Sequence, residues 1–378
     1  MRLTFIHDHK FIEFEGRFYS TGKFNQRILN QYKVGTIDNI QVIGRLQNNK
    51  YKIDSLSKVS AKTIKVKPIK FLKKKSDFFF KKRCIYKFIK QNINNDEIII
   101  VRLPSELGYI ALKYLQKKDM KYGIEIVGDP WDALWYHESL IGKAMAFINR
   151  RKTKKALKKS KNNIYVTKYY LQNKYPSKGK NFNASNVFLT KHQNNYELKN
   201  RIIFKIGMVA SLDTKYKGID TALKSLRKLQ NENIILEIVG NGPKEKWNKK
   251  IKEMNLENQV ILKGTLKGGD PIYQWMMDLD LYIQPSYTEG LPRALIEAMA
   301  NGLPSLASNV GGIPELLEKK FMHKAKDYKT LAQQIIMVKN NKEFRRKMSN
   351  DNFKVSKNYQ KEKIEKERIL FIKSIMGE

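Results

Sequence analysis

The chain of 378 residues carries 74 Lys and Arg against 36 Asp and Glu, a formal net charge of +38, with 41% hydrophobic residues including 18 Phe and 19 Tyr. That apolar share excludes a disordered chain, and the length exceeds one ordinary core, so two domains of about 150–200 residues are expected. A single cysteine, Cys84, excludes an intramolecular disulfide framework and fits a reducing cytoplasm.

In chain order, Met1–Asp8 turns polar too early for a signal peptide, and Arg2–Ile6 reads as a first strand. A loop with Gly16 and Gly22 follows and is expected to fold over a ligand. Strand-like runs come next at Ile40–Gly44, Glu97–Val101, Ile124–Val127 and Asn163–Thr167, with helical periodicity over Leu107–Lys117 and Ser139–Lys159. The polar segment Lys191–Asn200 marks a boundary. Beyond it, strands are predicted at Ile202–Val209, Ile234–Val239, Gln259–Leu262, Leu279–Gln284 and Ser305–Ala307. Helical patterns at Thr221–Gln230, Glu245–Met254 and Leu291–Ala300 separate them, and Tyr359–Met376 reads as a charged amphipathic helix. Such alternation predicts an α/β protein of two doubly wound domains with parallel sheets. The expected divisions are 1–195 and 196–355, with 356–378 either closing the second domain or crossing back to the first. No apolar run reaches the roughly 18 residues a membrane-spanning helix needs, and no fixed-period repeat is present.

The charge is uneven. Residues 1–190 hold 40 basic and 14 acidic residues, and residues 191–378 hold 34 and 22. Ala61–Lys90 carries twelve basic residues and one acidic, Asp77, while Arg150–Lys180 carries twelve and none. Such fields attract polyanions, although a general preference for lysine at solvated positions accounts equally well for the overall excess. The interleaving of cations and aromatics in 73–83 favours an anionic membrane surface. Single-stranded nucleic acid suits the same composition, but no nucleic-acid motif supports it, and no nucleic-acid partner is expected. A Gly-x-Gly-x-x-Gly after the first strand is missing, which disfavours a simple dehydrogenase. One Cys and five His leave no zinc spacing, and a Gly-x-Ser-x-Gly elbow is absent.

Three strand-to-helix turns carry the chemistry. In the first, Lys217-Gly218 precedes an amphipathic helix, where a lysine beside helix amides suits a diphosphate; the plain alternative is one loop lysine among many. In the second, Gly240-Asn-Gly242-Pro lets the backbone turn and approach a flat ligand such as a base, or is simply a turn. The third, Gln284-Pro-Ser-Tyr-Thr-Glu289-Gly290-Leu291-Pro292, leads into a helix that holds Glu297 and stops at Asn301-Gly302. It places one carboxylate at a loop mouth, beside a sugar, and a second deeper, near a ribose diol. The amides of Gly290 and Leu291 open towards phosphates. Pairing of Glu297 with Arg293 accounts for only one of these residues.

This array, with Gly311-Gly312-Ile-Pro-Glu315, resembles the family-4 retaining glycosyltransferases over about residues 200–318, and more weakly over 1–190. The resemblance implies the GT-B architecture, two Rossmann-like domains facing a cleft. It also implies nucleotide-sugar binding by the second domain and acceptor binding by the first, with no metal and no other cofactor. On it, Glu289 meets the donor sugar, Glu297 the ribose and Lys217 the diphosphate. The family commonly has an arginine where this chain has Ser211, and Lys215 is the substitute available. On the acceptor side, Asp129 and His137 follow a predicted strand near the position where family members place a His or Asp. His7 and His9 end the first strand and stand between cleft lining and structural use.

The reading is therefore a retaining, metal-independent glycosyltransferase, peripheral at the cytoplasmic face of the membrane, acting on a glycan or lipid-linked oligosaccharide of a bacterial surface polysaccharide. A GT-B isomerase of nucleotide sugars and a non-catalytic nucleic-acid-binding protein are the alternatives. The first leaves Lys217 and Glu289 poorly used; the second leaves the Glu289–Glu297 array without purpose.

Overall fold

Isoleucine and valine dominate Ile98–Leu103, and all six of its residues are buried, as a central parallel strand covered on both faces requires. The computed structural model describes residues 1–21, 24–48, 53, 56–74, 76–131, 140–187, 189, 196–266 and 269–378. Its chain divides into two units, Met1–Asn186 with Ile364–Glu378, and Val187–Lys363.

The first unit is built on nine strands: β1 (Arg2–Phe14), β2 (Arg17–Ser20), β3 (Asn39–Gln47), β4 (Ser57–Lys58), β5 (Ile64–Ile69), β6 (Ile98–Leu103), β7 (Tyr122–Ile126), β8 (Asn162–Tyr165) and β9 (Lys180–Asn183). A parallel path runs β5-β3-β1-β6-β7-β8-β9, and β2 and β4 add an antiparallel flap beside the far half of β1. Here the structure departs from the sequence reading. The first strand does not end at Ile6 but continues to Phe14, because Ile12–Phe14 pairs with β2 and Glu15 (φ 48°) and Gly16 (φ 69°) close the hairpin between them. Gly16 is thus a hairpin turn, and Gly22 lies outside the described residues. The strand changes partners in mid-course, pairing β6 as far as Ile6 and β2 from Ile12, with a register shift against β3 between Ile6 and Lys10.

The second unit holds β10 (Phe204–Val209), β11 (Ile234–Val239), β12 (Val260–Gly264), β13 (Leu281–Gln284), β14 (Ser305–Ser308) and β15 (Met322–His323). All pairs are parallel and the order is β12-β11-β10-β13-β14-β15. Sequence order reverses between β10 and β13, which makes that junction the topological switch point where open α/β sheets bind ligands.

The helix Lys361–Met376 lies mostly in the first unit, where its residues Phe371 and Ile375 rest on β7. Gly123 makes the seat: a Cβ there would stand 2.4 Å from Phe371 Cζ and 2.5 Å from Ile375 Cδ1. Below it, Glu125 is sealed among cations. Arg102 Nε donates to Glu125 Oε2 at 2.8 Å, the Tyr32 hydroxyl donates to Oε1 at 2.8 Å, and Arg368 Nη1 lies 3.6 Å away. Arg368, fully buried, also donates to the Ser185 carbonyl and to Asn186 Oδ1. Burial opposes the Glu125 charge, but the two guanidinium groups outweigh it and hold the carboxyl below its ordinary range. Glu125→Gln leaves both guanidinium groups buried without a counter-charge. It is expected to cost about 3–5 kcal/mol in chemical denaturation; a variant as stable as the parent would remove Glu125 from the list of groups holding this helix.

Candidate functional site

The sequence-singled turns of the second unit come together at the switch point. The loop after β10 enters a 3-10 turn, Lys215–Lys217, and then Gly218 at φ 76°, which opens the helix Ile219–Arg227. The loop after β13 runs to the helix Arg293–Ala300. Backbone meets backbone between them: the Tyr287 amide donates to the Tyr216 carbonyl at 2.7 Å, and a Cβ on Gly218 would stand 1.9 Å from the Pro285 carbonyl oxygen. A third loop closes from β14, where a Cβ on Gly311 would stand 1.8 Å from the Glu289 carbonyl oxygen and the Gly312 amide donates to the Gly290 carbonyl at 2.8 Å. Gly240 and Gly242 serve the same purpose after β11. A Cβ on Gly240 would stand 1.7 Å from the Ala210 carbonyl oxygen, and Gly242, at φ 118°, lies against Leu212 and Asp213. The close approach these two glycines permit is to the neighbouring loop.

Held this way, Lys217 Nζ lies 2.7 Å from Glu289 Oε1, with the two side chains 21% and 9% exposed. The same oxygen accepts from Ser286 Oγ at 2.7 Å and from Gln284 Nε2 at 2.9 Å. Behind them the Tyr282 hydroxyl donates to Gln284 Oε1 at 2.7 Å, and Gln284 Nε2 also reaches Ser286 Oγ at 2.8 Å. Burial pushes the Tyr282 hydroxyl well above its ordinary value, so it remains a donor. At Lys217, burial works against the ammonium, but the Glu289 charge outweighs it and the net shift is upward. The result is a fixed cation and a fixed carboxylate at a strand-end rim. Sequence reasoning missed Tyr282, Gln284 and Ser286 as the carboxylate's supports. The available signal was their spacing of two along β13 and its exit, which puts them on one side.

Glu297 stands half-buried inside the helix Arg293–Ala300. Gly290 and Leu291 are half-buried in the preceding turn, Lys215 is exposed, and the Ser211 hydroxyl donates to the Asn241 carbonyl at 3.5 Å. Among the described residues no three His, Cys, Asp or Glu side chains are grouped as a metal site needs.

In the first unit, Asp129 follows β7 with its side chain 1% exposed. It pairs with Lys174, accepts from the Tyr175 hydroxyl, and takes the Trp131 amide at 2.9 Å and the Tyr170 hydroxyl at 3.5 Å. Its lone pairs are committed. His137 lies outside the described residues. His7, Asp8 and His9 sit inside β1, at the place where it leaves β6. There Asp8 Oδ2 accepts the Glu106 amide at 2.8 Å and so anchors the start of the helix Glu106–Lys117, and His9 Nε2 meets Ser20 Oγ at 2.7 Å. Desolvation, with Arg102 adding, lowers His7 to about 3; desolvation, then His7 and Arg102, lower His9 to about 3.

Comparison with known proteins bears on the family and fold of the chain. A family model described as "Glycosyl transferases group 1" matches residues 190–355. The chain is 37% identical over 375 residues to Protein CapJ of Staphylococcus aureus, covering 97% of this chain and 94% of that one. It is 33% identical over 117 residues to the putative colanic acid biosynthesis glycosyltransferase WcaL of Escherichia coli K12, 28% of each chain. Among solved structures, the lipopolysaccharide outer core galactosyltransferase WaaB aligns with a TM-score of 0.69 at 16% identity, over 99% of both chains.

Two measurements test the local account. Gly16 and Gly218 have similar backbones, φ 69° and 76°, but a Cβ on Gly16 meets nothing within 4 Å. Gly16→Ala should cost about 1–2 kcal/mol of strain and Gly218→Ala clearly more in denaturant titration; equal costs would mean the loop contact is slack. The second concerns acid. The unfolded histidines titrate near 6.5 and the folded ones near 3. Protonation therefore favours unfolding, and stability falls as pH drops below about 6.5 towards 3, with no such term above 6.5. His7→Gln should flatten that acid limb; an unchanged slope would exclude His7 from it.

Proposed function

The chain belongs to the group 1 glycosyl transferases, a retaining family of GT-B fold, and on that premise we propose that it extends a lipid-linked bacterial surface glycan at an anionic membrane surface, without a metal. A nucleotide-sugar donor and a glycan acceptor come with the family. The surface-glycan assignment takes its support from the relative named for colanic acid biosynthesis, and the membrane from the basic first half of the chain. Family membership leaves the non-catalytic nucleic-acid reading without a case, and no observation favours the isomerase.

The observation that carries the assignment of residues is the Lys217–Glu289 pair at the switch point. Lys217 is the cation for the donor diphosphate, with Lys215 beside it and the Gly290 and Leu291 amides opposite. Glu289, beside that lysine and held by Ser286 and Gln284, accepts hydroxyls of the donor sugar. Glu297 takes the ribose diol, and the glycines at 240 and 242 shape the base side. In the reaction the bond from the sugar's anomeric carbon to the diphosphate oxygen breaks. The acceptor oxygen bonds to that carbon on the same face, and the acceptor's proton passes to the departing diphosphate. The first unit supplies the acceptor side. Asp129, with its oxygens engaged, acts there by holding the loop that follows β7, and His7 by lining the strand end.

Glu289→Gln keeps the shape and removes the charge that orients the sugar. Its kcat should fall about 10²–10³-fold, with the donor KM changed only a few-fold; near-normal turnover would sink the assignment. In the parent, one of UDP, GDP or ADP should raise the melting temperature without metal, and Lys217→Met should lose that rise.

A further inference from the structure

The aromatic-basic run singled out in the sequence takes a definite shape in the first unit. After the edge strand β5, the chain folds into a short helical turn, Asp77–Phe80, and then the helix Lys82–Asn92. Three consecutive phenylalanines divide their work. Phe78 is buried beneath the Arg45 guanidinium, 5.1 Å from its ring centroid, while Phe79 and Phe80 are 66% and 87% exposed. No other large hydrophobic residue among those described is as exposed as Phe80. The turn is fixed from below: Arg45 Nη2 donates to the Lys73 carbonyl at 3.3 Å, and Lys81 Nζ to the Phe71 carbonyl at 3.0 Å. Asp77, the sole acid of the region, is consumed locally. It accepts the Lys73 and Lys74 amides at 2.8 and 2.7 Å and pairs with Lys81 at 3.0 Å. The charges left facing solvent around the two rings are therefore cationic, namely Lys73, Lys74, Lys82 and Arg83.

Two adjacent exposed aromatic rings on a hydrogen-bonded turn, among cations with no acid left over, match the boundary between lipid headgroups and acyl chains. We propose that Phe79 and Phe80 form a membrane-inserting tip, with Lys73, Lys74, Lys82 and Arg83 docking on anionic headgroups. This rests on, and sharpens, the reading of the acceptor as membrane-borne. Single-stranded nucleic acid would also use rings and cations, but it stacks on aromatic faces spread along a groove, whereas these two rings are neighbours on one short helical turn. Two further adjacent apolar pairs are exposed, Phe147–Ile148 at 46% and 43% and Ile202–Ile203 at 82% and 42%, but neither presents two aromatic rings.

Cys84, the chain's single cysteine, is exposed one helical turn beyond Phe80 and supplies a native reporter. The full chain, labelled there with an environment-sensitive dye, is mixed with vesicles of phosphatidylcholine alone or with added phosphatidylglycerol. Dye emission should shift to the blue with the anionic vesicles only. The double variant Phe79→Ser, Phe80→Ser should lose about tenfold or more in vesicle affinity, while keeping the parent's thermal shift with nucleotide as a check of folding. Equal vesicle affinity of parent and variant, in sedimentation, would overturn the tip while leaving a membrane-borne acceptor standing. Failure of the parent to bind any vesicle would bring down both. Uptake of a single-stranded RNA probe in place of vesicles, lost in the double variant, would reassign the rings to nucleic acid.

Discussion

Contact of backbone with backbone at the carboxyl ends of β10, β11, β13 and β14 is the constraint on which the donor-side rim depends. Gly218 against Pro285, Gly240 against Ala210 and Gly311 against Glu289 each leave less room than a methyl group needs. Side chains cannot fill these junctions, so the loops lock together through hydrogen bonds and closely packed peptide groups. That locking fixes where the lysine and the carboxylate stand before any ligand arrives. A preorganised charge does not have to be moved during the reaction, and this is the usual source of electrostatic advantage in a catalytic site.

The two units handle buried charge differently. In the second, Glu289 has one cationic partner at the rim and neutral donors behind it, an arrangement that fixes the side chain close to the surface. In the first, Glu125 is enclosed by two arginines and a tyrosine, and Asp129 by a lysine, two tyrosines and an amide. Enclosed pairs of this kind add little net stability but are costly to break singly. They therefore specify how the helix and loops attach.

Much of the second unit was legible because its strands are short apolar runs closed by Gly, Pro and carboxylates at strand ends, and those residue types have few other uses there. The 3-2-1-4-5-6 order could not be read, since pairing between distant strands leaves no local trace. In the first unit, legibility fell where lysine is dense. The edge strand Ile64–Ile69 alternates lysine with buried residues, and the helix Lys82–Asn92 buries only Ile85 and Ile89, so neither has the continuous apolar stripe that periodicity detects. The extension of β1 to Phe14 was missed for a related reason: its histidines and acid look like a loop until β2 pairs with it. Glu289 was visible as a motif residue, whereas its supports at 282, 284 and 286 needed the strand's alternation to be followed past its end.

The seat of the C-terminal helix on Gly123 also sets a timetable. Phe371 and Ile375 complete the core of the first unit, yet they are synthesised only after every residue of the second. While a ribosome is making residues 187–363, the groove over β7 and the Glu125 carboxylate lack the helix that covers them. The nascent first unit must therefore wait, part-finished and with apolar surface open, through nearly half of the chain's synthesis. Domains usually mature in the order in which they emerge, but here the earlier one is sealed last.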